Sequence, residues 1–124
     1  MKLKYEQKNK TLILKIKGEL DLHTADDLRS QVDVYLNQHD NIKNMIMDLQ
    51  GIDFIDSSGL GVILGRYKLV KQRGGKLAII SSSYQVKRIF EVSGMLKIIS
   101  IYETLEQAKE ILAVWWSRKG DLRW

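Results

Sequence analysis

Short apolar runs alternate with helix-period segments through most of this chain, and that alternation restricts its fold more than any other feature. Met45-Ile46-Met47 is a continuous apolar run of the kind found in a strand covered on both faces. It leads into Leu60, Ile63, Leu64, Tyr67 and Val70, apolar positions spaced as one face of a helix. Gly74-Gly75 stops that helix ahead of a second run, Leu77-Ala78-Ile79-Ile80. The unit then recurs. Ser83 should cap a helix with Val86, Ile89 and Phe90 inward and Gly94 as its stop, followed by a strand through Ile98, Ile99 and Ile101. A last helix is expected from about Thr104, with a Thr104-to-Gln107 capping box and Leu105, Ala108, Ile111, Leu112 and Trp115 facing in. Upstream, Leu12, Leu14 and Ile16 alternate with Ile13, Lys15 and Lys17 as in a half-buried strand, and Leu3 and Tyr5 point to a partner strand across a turn at Lys8-Asn9-Lys10. Thr24 is the expected cap of a helix ending near Gln38, with Asp26 and Asp27 in its first turn and Ala25, Leu28, Val32, Tyr35 and Leu36 on its buried side. The order ββαβαβαβα predicts an α/β domain with a largely parallel sheet, and 124 residues suffice for one such domain.

Ligands of these sheets sit at the carboxyl ends of strands, and here that position falls on Asp56-Ser57-Ser58-Gly59-Leu60-Gly61. Two serines stand where loop becomes helix. The first turn of a helix has unpaired N–H groups and the positive end of the macrodipole, which favour an anion by roughly 0.3–1 kcal/mol. Serine is also a preferred N-cap, so a purely structural role has to be weighed. Two glycines in that turn, each costing a helix about 0.5–1 kcal/mol relative to alanine, point instead to close approach by another protein.

The run Asp56-Ser57-Ser58-Gly59-Leu60-Gly61-Val62-Ile63-Leu64-Gly65-Arg66-Tyr67-Lys68 resembles the phosphorylation-site segment of the STAS-domain anti-sigma factor antagonists, in particular the sporulation anti-sigma-F type. Gly18-Glu19-Leu20-Asp21 before His23-Thr24-Ala25 agrees with it, as does Val86-Lys87-Arg88-Ile89-Phe90 followed by Ser93-Gly94 and Lys97-Ile98-Ile99. The similarity runs from about residue 3 to residue 112. It implies one STAS-like domain over residues 1–114, a mixed, mostly parallel sheet with helices packed against it, and a basic, tryptophan-bearing tail over 115–124 that lies outside the resemblance. The family is phosphorylated on the serine directly after the aspartate, which is Ser57 here. Asp21, His23, Asp56, Ser58, Gly59, Leu60 and Gly61 are then the expected partner contacts. The implied partner is an anti-sigma factor that is also an ATP-dependent serine kinase. The unmodified antagonist binds it and frees the sigma factor, phosphorylation ends binding, and a separate serine phosphatase restores it. ATP and Mg²⁺ belong to the kinase in this scheme, so no cofactor is expected on this chain. Related STAS domains inside larger proteins act as small-ligand sensors, the alternative reading.

Nothing in the chain assembles into an enzyme. The absence of cysteine excludes disulfides, thiolate metal sites and cysteine nucleophiles. His23 and His39 are the only histidines, expected in surface or capping roles. Ile55 stands where a serine-hydrolase elbow needs glycine, and Leu64 where a dinucleotide fingerprint needs its third glycine, Gly65 being one residue late. Asp48 and Asp53 read as loop residues with local backbone hydrogen bonds.

The net charge of +5 is uneven, with eight Lys/Arg against ten Asp/Glu in residues 1–56 and twelve against five in the rest. Arg66, Lys68, Lys71, Arg73 and Lys76 are expected on solvated helix faces, without the interleaved aromatics that stack bases, so direct nucleic-acid binding is not expected. The tail, where Trp115, Trp116 and Trp124 flank Arg118, Lys119 and Arg123, is expected to pack Trp115 and then fray. No run approaches a membrane span or a signal-peptide core, which predicts a cytoplasmic protein without membrane contact.

Overall fold

The computed structural model describes the backbone of residues 1–121 and the side chains of all but 116 and 118–121. The alternating segments Lys2–Lys8 (β1) and Thr11–Leu20 (β2) pair antiparallel across a turn in which Asn9 takes a φ of 55°, a conformation asparagine tolerates. Then follow α1 (Ala25–Asn37), β3 (Asn44–Ile55), α2 (Ser57–Gln72), β4 (Leu77–Ile80), α3 (Tyr84–Val92), a 3₁₀ turn at Met95–Lys97, β5 (Ser100–Tyr102) and α4 (Leu105–Asp121). The strands lie side by side in chain order, β2 to β5 parallel, so the sheet is mixed and mostly parallel with the expected element order.

The sheet is covered unequally. Leu12, Leu14 and Ile16 of β2 and Met45 and Met47 of β3 point to the face packed by Leu28, Val32 and Leu36 of α1, Ile63 and Val70 of α2, and Phe90 of α3. Ile13, Ile46, Ala78 and Ile80 point to the other face, where Ala108 and Leu112 of α4 cover them. Strands apolar toward both layers explain the unbroken runs at Met45-Ile46-Met47 and Leu77–Ile80. Ser83 caps α3 as expected, its Oγ accepting from the Val86 N–H at 3.3 Å. His39 stacks on Tyr35 and places Nδ1 2.7 Å from the Tyr35 carbonyl at the end of α1, a capping role.

Several expectations are corrected. Asp48 and Asp53 lie within β3, which runs eight residues past Met47 to Ile55, although Asp48 Oδ1 does accept a local bond from the Gln50 N–H at 2.9 Å. β5 starts at Ser100, leaving Ile99 buried and Ile98 half exposed in the preceding connection. Thr24 occupies the N-cap position of α1 as expected, but its side chain caps no helix amide: the hydroxyl donates to the Glu19 carbonyl and receives the Asp21 N–H. The capping box of α4 is displaced, since Gln107 Oε1 accepts from Glu103 N rather than Thr104 N while Thr104 Oγ1 accepts from Gln107 N. Ile111 is 40% exposed. Helix α4 crosses residue 115 without a break, with Trp115 half-buried. The side chains of Trp116, Arg118 and Lys119 and the whole of Arg123 and Trp124, where fraying is expected, lie outside the described residues.

Arg66 and Arg73 do not belong to a solvated face. Arg73 donates from its guanidinium to the carbonyls of Leu36, His39 and Ile42, tying the end of α1 to the start of β3. Arg66 is 6% exposed and places Nε 3.2 Å from Asp33 Oδ1 on α1.

Candidate partner-binding and modification site

The site forms where β3, paired with β2 to its last residue, runs past the end of β4. Between Lys15 and Lys17, and again between Gly18 and Glu19, β3 supplies one more residue than β2, two bulges that leave Gln50 and Gly51, then Asp53 and Phe54, exposed in adjacent pairs. Bulges re-aim a strand end. The end of β3 stays bonded to the end of β2, with Asp56 N donating to the Leu20 carbonyl at 3.3 Å.

Asp56 organises both loops. Its Oδ1 accepts from the N–H groups of Ser58 (2.9 Å) and Gly59 (3.1 Å), so Asp56 is the N-cap of α2 and the serines are its first helical residues. Its Oδ2 accepts from the Leu22 N–H at 3.2 Å, across to the β2–α1 loop. The expected anion seat on the first-turn amides is thus filled by the chain's own carboxylate. Ser57 is exposed, with no hydrogen bond from its hydroxyl to any described residue, and Ser58 is half-buried.

The neighbouring loop is equally ordered. Asp21 Oδ1 accepts from the N–H groups of His23 (2.9 Å) and Thr24 (3.1 Å), an Asx turn that ends β2 by taking amides a longer strand would have paired. Partial desolvation pushes the Asp21 carboxyl upward, but bonds from the His23 and Thr24 backbone and the Thr24 hydroxyl, with the nearby His23 charge, outweigh it and hold its pKa below the usual carboxylate value.

The structure therefore brings Asp21 and His23 beside Asp56 and Ser57, and sorts the remaining residues. Gly61 is exposed, and a Cβ built there meets nothing within 4 Å. Gly59 faces inward: a Cβ there would strike the Leu20 carbonyl oxygen and lie 2.8 Å from Leu20 Cγ and 3.0 Å from Ile55 Cγ1. Leu60 is 5% exposed and belongs to the core. These two build the site from within rather than present it. Two exposed apolar side chains at its edge escaped the sequence reading, Leu22 in the β2–α1 loop (70% exposed) and Phe54 near the end of β3 (49%). The only signal for them was an apolar residue at a loop or strand-end position. Among the described residues no group of histidines and carboxylates could hold a metal ion, and no helix is long and apolar enough to cross a membrane.

Comparison with known proteins agrees with this fold. The STAS domain family matches residues 2–108. The anti-sigma F factor antagonist of Paenibacillus polymyxa is 41% identical over 103 residues, covering 83% of this chain and 87% of that protein. The structure of the anti-sigma factor antagonist SpoIIAA in its unphosphorylated form superposes with a TM-score of 0.68 at 21% identity, over 87% of this chain and 94% of that one. That of the Bacillus cell fate determinant SpoIIAA in the phosphorylated form gives 0.68 at 24% identity, over 88% and 97%. The chain belongs to the STAS-domain family, among its anti-sigma factor antagonists.

Proposed function

We propose that this protein is a phosphorylation-controlled antagonist: unmodified, it binds an anti-sigma factor that is also a serine kinase and releases the sigma factor, and phosphorylation of Ser57 by that kinase ends binding until a serine phosphatase restores it. One observation carries the reading. Ser57 is an exposed hydroxyl in the first turn of α2, next to an Asp56 carboxylate that already occupies the cap amides. A phosphate on Ser57 adds about −1.5 to −2 charges beside that fixed negative charge without taking over its bonds. A docked partner would then face a multiply charged patch. Leaving such charge poorly paired in an interface costs several kcal/mol, and each 1.4 kcal/mol is tenfold in affinity, so loss of about a hundredfold or more follows.

Ser57, Ser58 and Gly61 would form the polar, uncluttered centre of the contact, with Asp21 and His23 beside it and Leu22 and Phe54 as apolar anchors. Similarity to the anti-sigma F factor antagonist of Paenibacillus polymyxa and to SpoIIAA, known in unphosphorylated and phosphorylated forms, supports this role. ATP and Mg²⁺ are supplied by the kinase and act on its side of the interface. The test is incubation with ATP, Mg²⁺ and a candidate anti-sigma kinase, with phosphate located by mass spectrometry. Ser57→Ala should abolish incorporation and Ser58→Ala should largely retain it. Normal labelling of the Ser57→Ala protein would refute the assignment.

A second reading, the small-ligand-sensing STAS domain, draws on a cavity of about 550 Å³ between α4 and the sheet, floored by Ile13, Ile46 and Leu112 and edged by Lys8 and Lys109. It lies where β2 and β3 begin, at the opposite end of the sheet from Ser57. Ligand-induced protection of this region from hydrogen exchange, with no effect of Ser57 phosphorylation, would favour the sensor.

A further inference from the structure

The open half of the α4 side of the sheet carries four lysines in a two-by-two grid. Lys2 and Lys4 of β1 stand directly opposite Lys17 and Lys15 of β2, all four exposed on one face. They line a shallow concavity of about 460 Å³ together with Asp48, Gln50 and Gly51 of β3. Cross-strand partners have Cβ atoms about 4.5–5.5 Å apart, and like charges directly opposite destabilise a sheet. Lysines on an edge strand have an ordinary purpose, since they block edge-to-edge pairing. That covers Lys2 and Lys4 but not Lys15 and Lys17, because β2 is an interior strand with its edges already taken by β1 and β3. Compensation is partial: Lys15 stands opposite Asp48 of β3, but among the described residues none of the four lies in an ion pair, and Asp48, the one carboxylate in the concavity, is 8% exposed and bonded to the Gln50 amide.

We propose that this face is a second docking surface, and that its occupant is an extended acidic segment of a partner protein. Residues two apart along a strand repeat at roughly 6.8 Å, so an extended peptide with acids at alternate positions matches the row Lys15–Lys17 on one side and Lys2–Lys4 on the other. The surface holds no arginine for bidentate phosphate contacts and no aromatic ring for base stacking, which disfavours nucleic acid. Its concave shape disfavours a flat lipid headgroup layer. Since α1, α2 and α3 pack on the other side of the sheet, the grid stays accessible while the Ser57 loop is engaged.

The experiment is fluorescence anisotropy of a short labelled peptide of alternating Glu and Ala, with a Gln and Ala peptide as control, against the full-length protein at about 50 mM salt. Wild type should bind the acidic peptide and ignore the neutral one. Lys15→Ala/Lys17→Ala should weaken binding about tenfold or more, as loss of two charge contacts predicts. Lys68→Ala/Lys97→Ala, which removes the same net charge elsewhere, should change it less than about twofold. All four side chains are exposed, and melting curves of both variants confirm folding. Equal weakening by the two variants would reduce the effect to net charge and overturn the proposal. So would absence of peptide binding, or tighter grid-dependent binding to a single-stranded oligonucleotide or to phosphatidylserine vesicles.

Discussion

Gly59 and Gly61 stand in the same first turn of α2, yet a methyl group added to each meets opposite surroundings. At Gly59 it enters the Leu20 carbonyl and crowds Leu20 and Ile55, which fixes the distance between the two loops of the site. Gly59→Ala should therefore destabilise the fold by about 1–3 kcal/mol, the usual range for overpacking. Gly61→Ala meets open space and should gain about 0.5–1 kcal/mol from helix propensity while weakening partner binding, if clear approach is what the glycine serves. Urea titrations of the two variants check both signs, and equal effects would show that packing does not distinguish them. Asp21 makes a prediction of a different kind. Its folded pKa lies below the unfolded value near 3.9, so the order it lends the β2–α1 loop is fully present above that value and is lost as pH falls through the lower folded one. The Thr24 amide resonance should make its main excursion below about pH 4. A midpoint at or above the ordinary aspartate value would show that the carboxylate is not held by the loop's amides.

Between elements, the contact of α1 with α2 runs through a buried arginine. Arg66 lies within ion-pair distance of Asp33, without hydrogen-bond alignment, and its Nη1 has no hydrogen-bond partner among the described residues. Burial pulls its pKa down while Asp33 pushes it back. Removing the counter-charge alone should hurt more than removing the pair's cation. Asp33→Ala, on a partner about one-third exposed, should cost about 1–2 kcal/mol, less than a fully buried pair would, whereas Arg66→Met should be near neutral. A larger loss for Arg66→Met than for Asp33→Ala would contradict this ordering. The residue also shows where the sequence was legible and where it was not. Elements whose period matched their burial, such as α1, α3 and β4, were readable within a residue or two. Arg66 escaped because an arginine on a helix reads as solvated unless its partner, thirty-three residues earlier, is known to face it. β3 beyond Met47 escaped because its two bulges put consecutive residues outward and destroyed the period-two signal. β5 was misplaced because Ile98 and Ile99 look like strand although Ile98 is half exposed and Ile99 fills the core from a connection. The loop at residues 56–61 was legible as a position, through its serines and glycines. The double use of Asp56 was not, since only the fold brings Leu22 against it.

For the whole molecule, the switch requires a modification that changes a surface and leaves the fold intact. The local wiring meets that condition. The Ser57 hydroxyl makes no hydrogen bond to any described residue, while the bonds that hold the two loops together belong to Asp56 and to the Leu20 carbonyl. An added charge at Ser57 is favoured by the helix N-terminus and opposed by Asp56, effects of about 0.3–1 kcal/mol each and of opposite sign at an exposed position. Ser57→Asp should accordingly leave stability within about 1 kcal/mol of wild type and weaken binding to the anti-sigma kinase. The loss should fall short of that caused by phosphate, because one carboxylate carries less charge and fewer acceptor oxygens. Leu22→Ser and Phe54→Ser should weaken the same binding about tenfold or more, since a few large apolar side chains that become buried in an interface carry much of its energy. Leu22→Ser should not lower the melting temperature, since that side chain is 70% exposed before any partner arrives, and Phe54→Ser should lower it slightly, since half of the Phe54 side chain is covered. Calorimetric titration against the kinase, run beside thermal melts of the three variants, separates surface from fold. If Ser57→Asp melted far below wild type, Ser57 would be chiefly a structural residue, and if it bound the kinase as tightly as wild type, the charge at this position would not be what the partner senses.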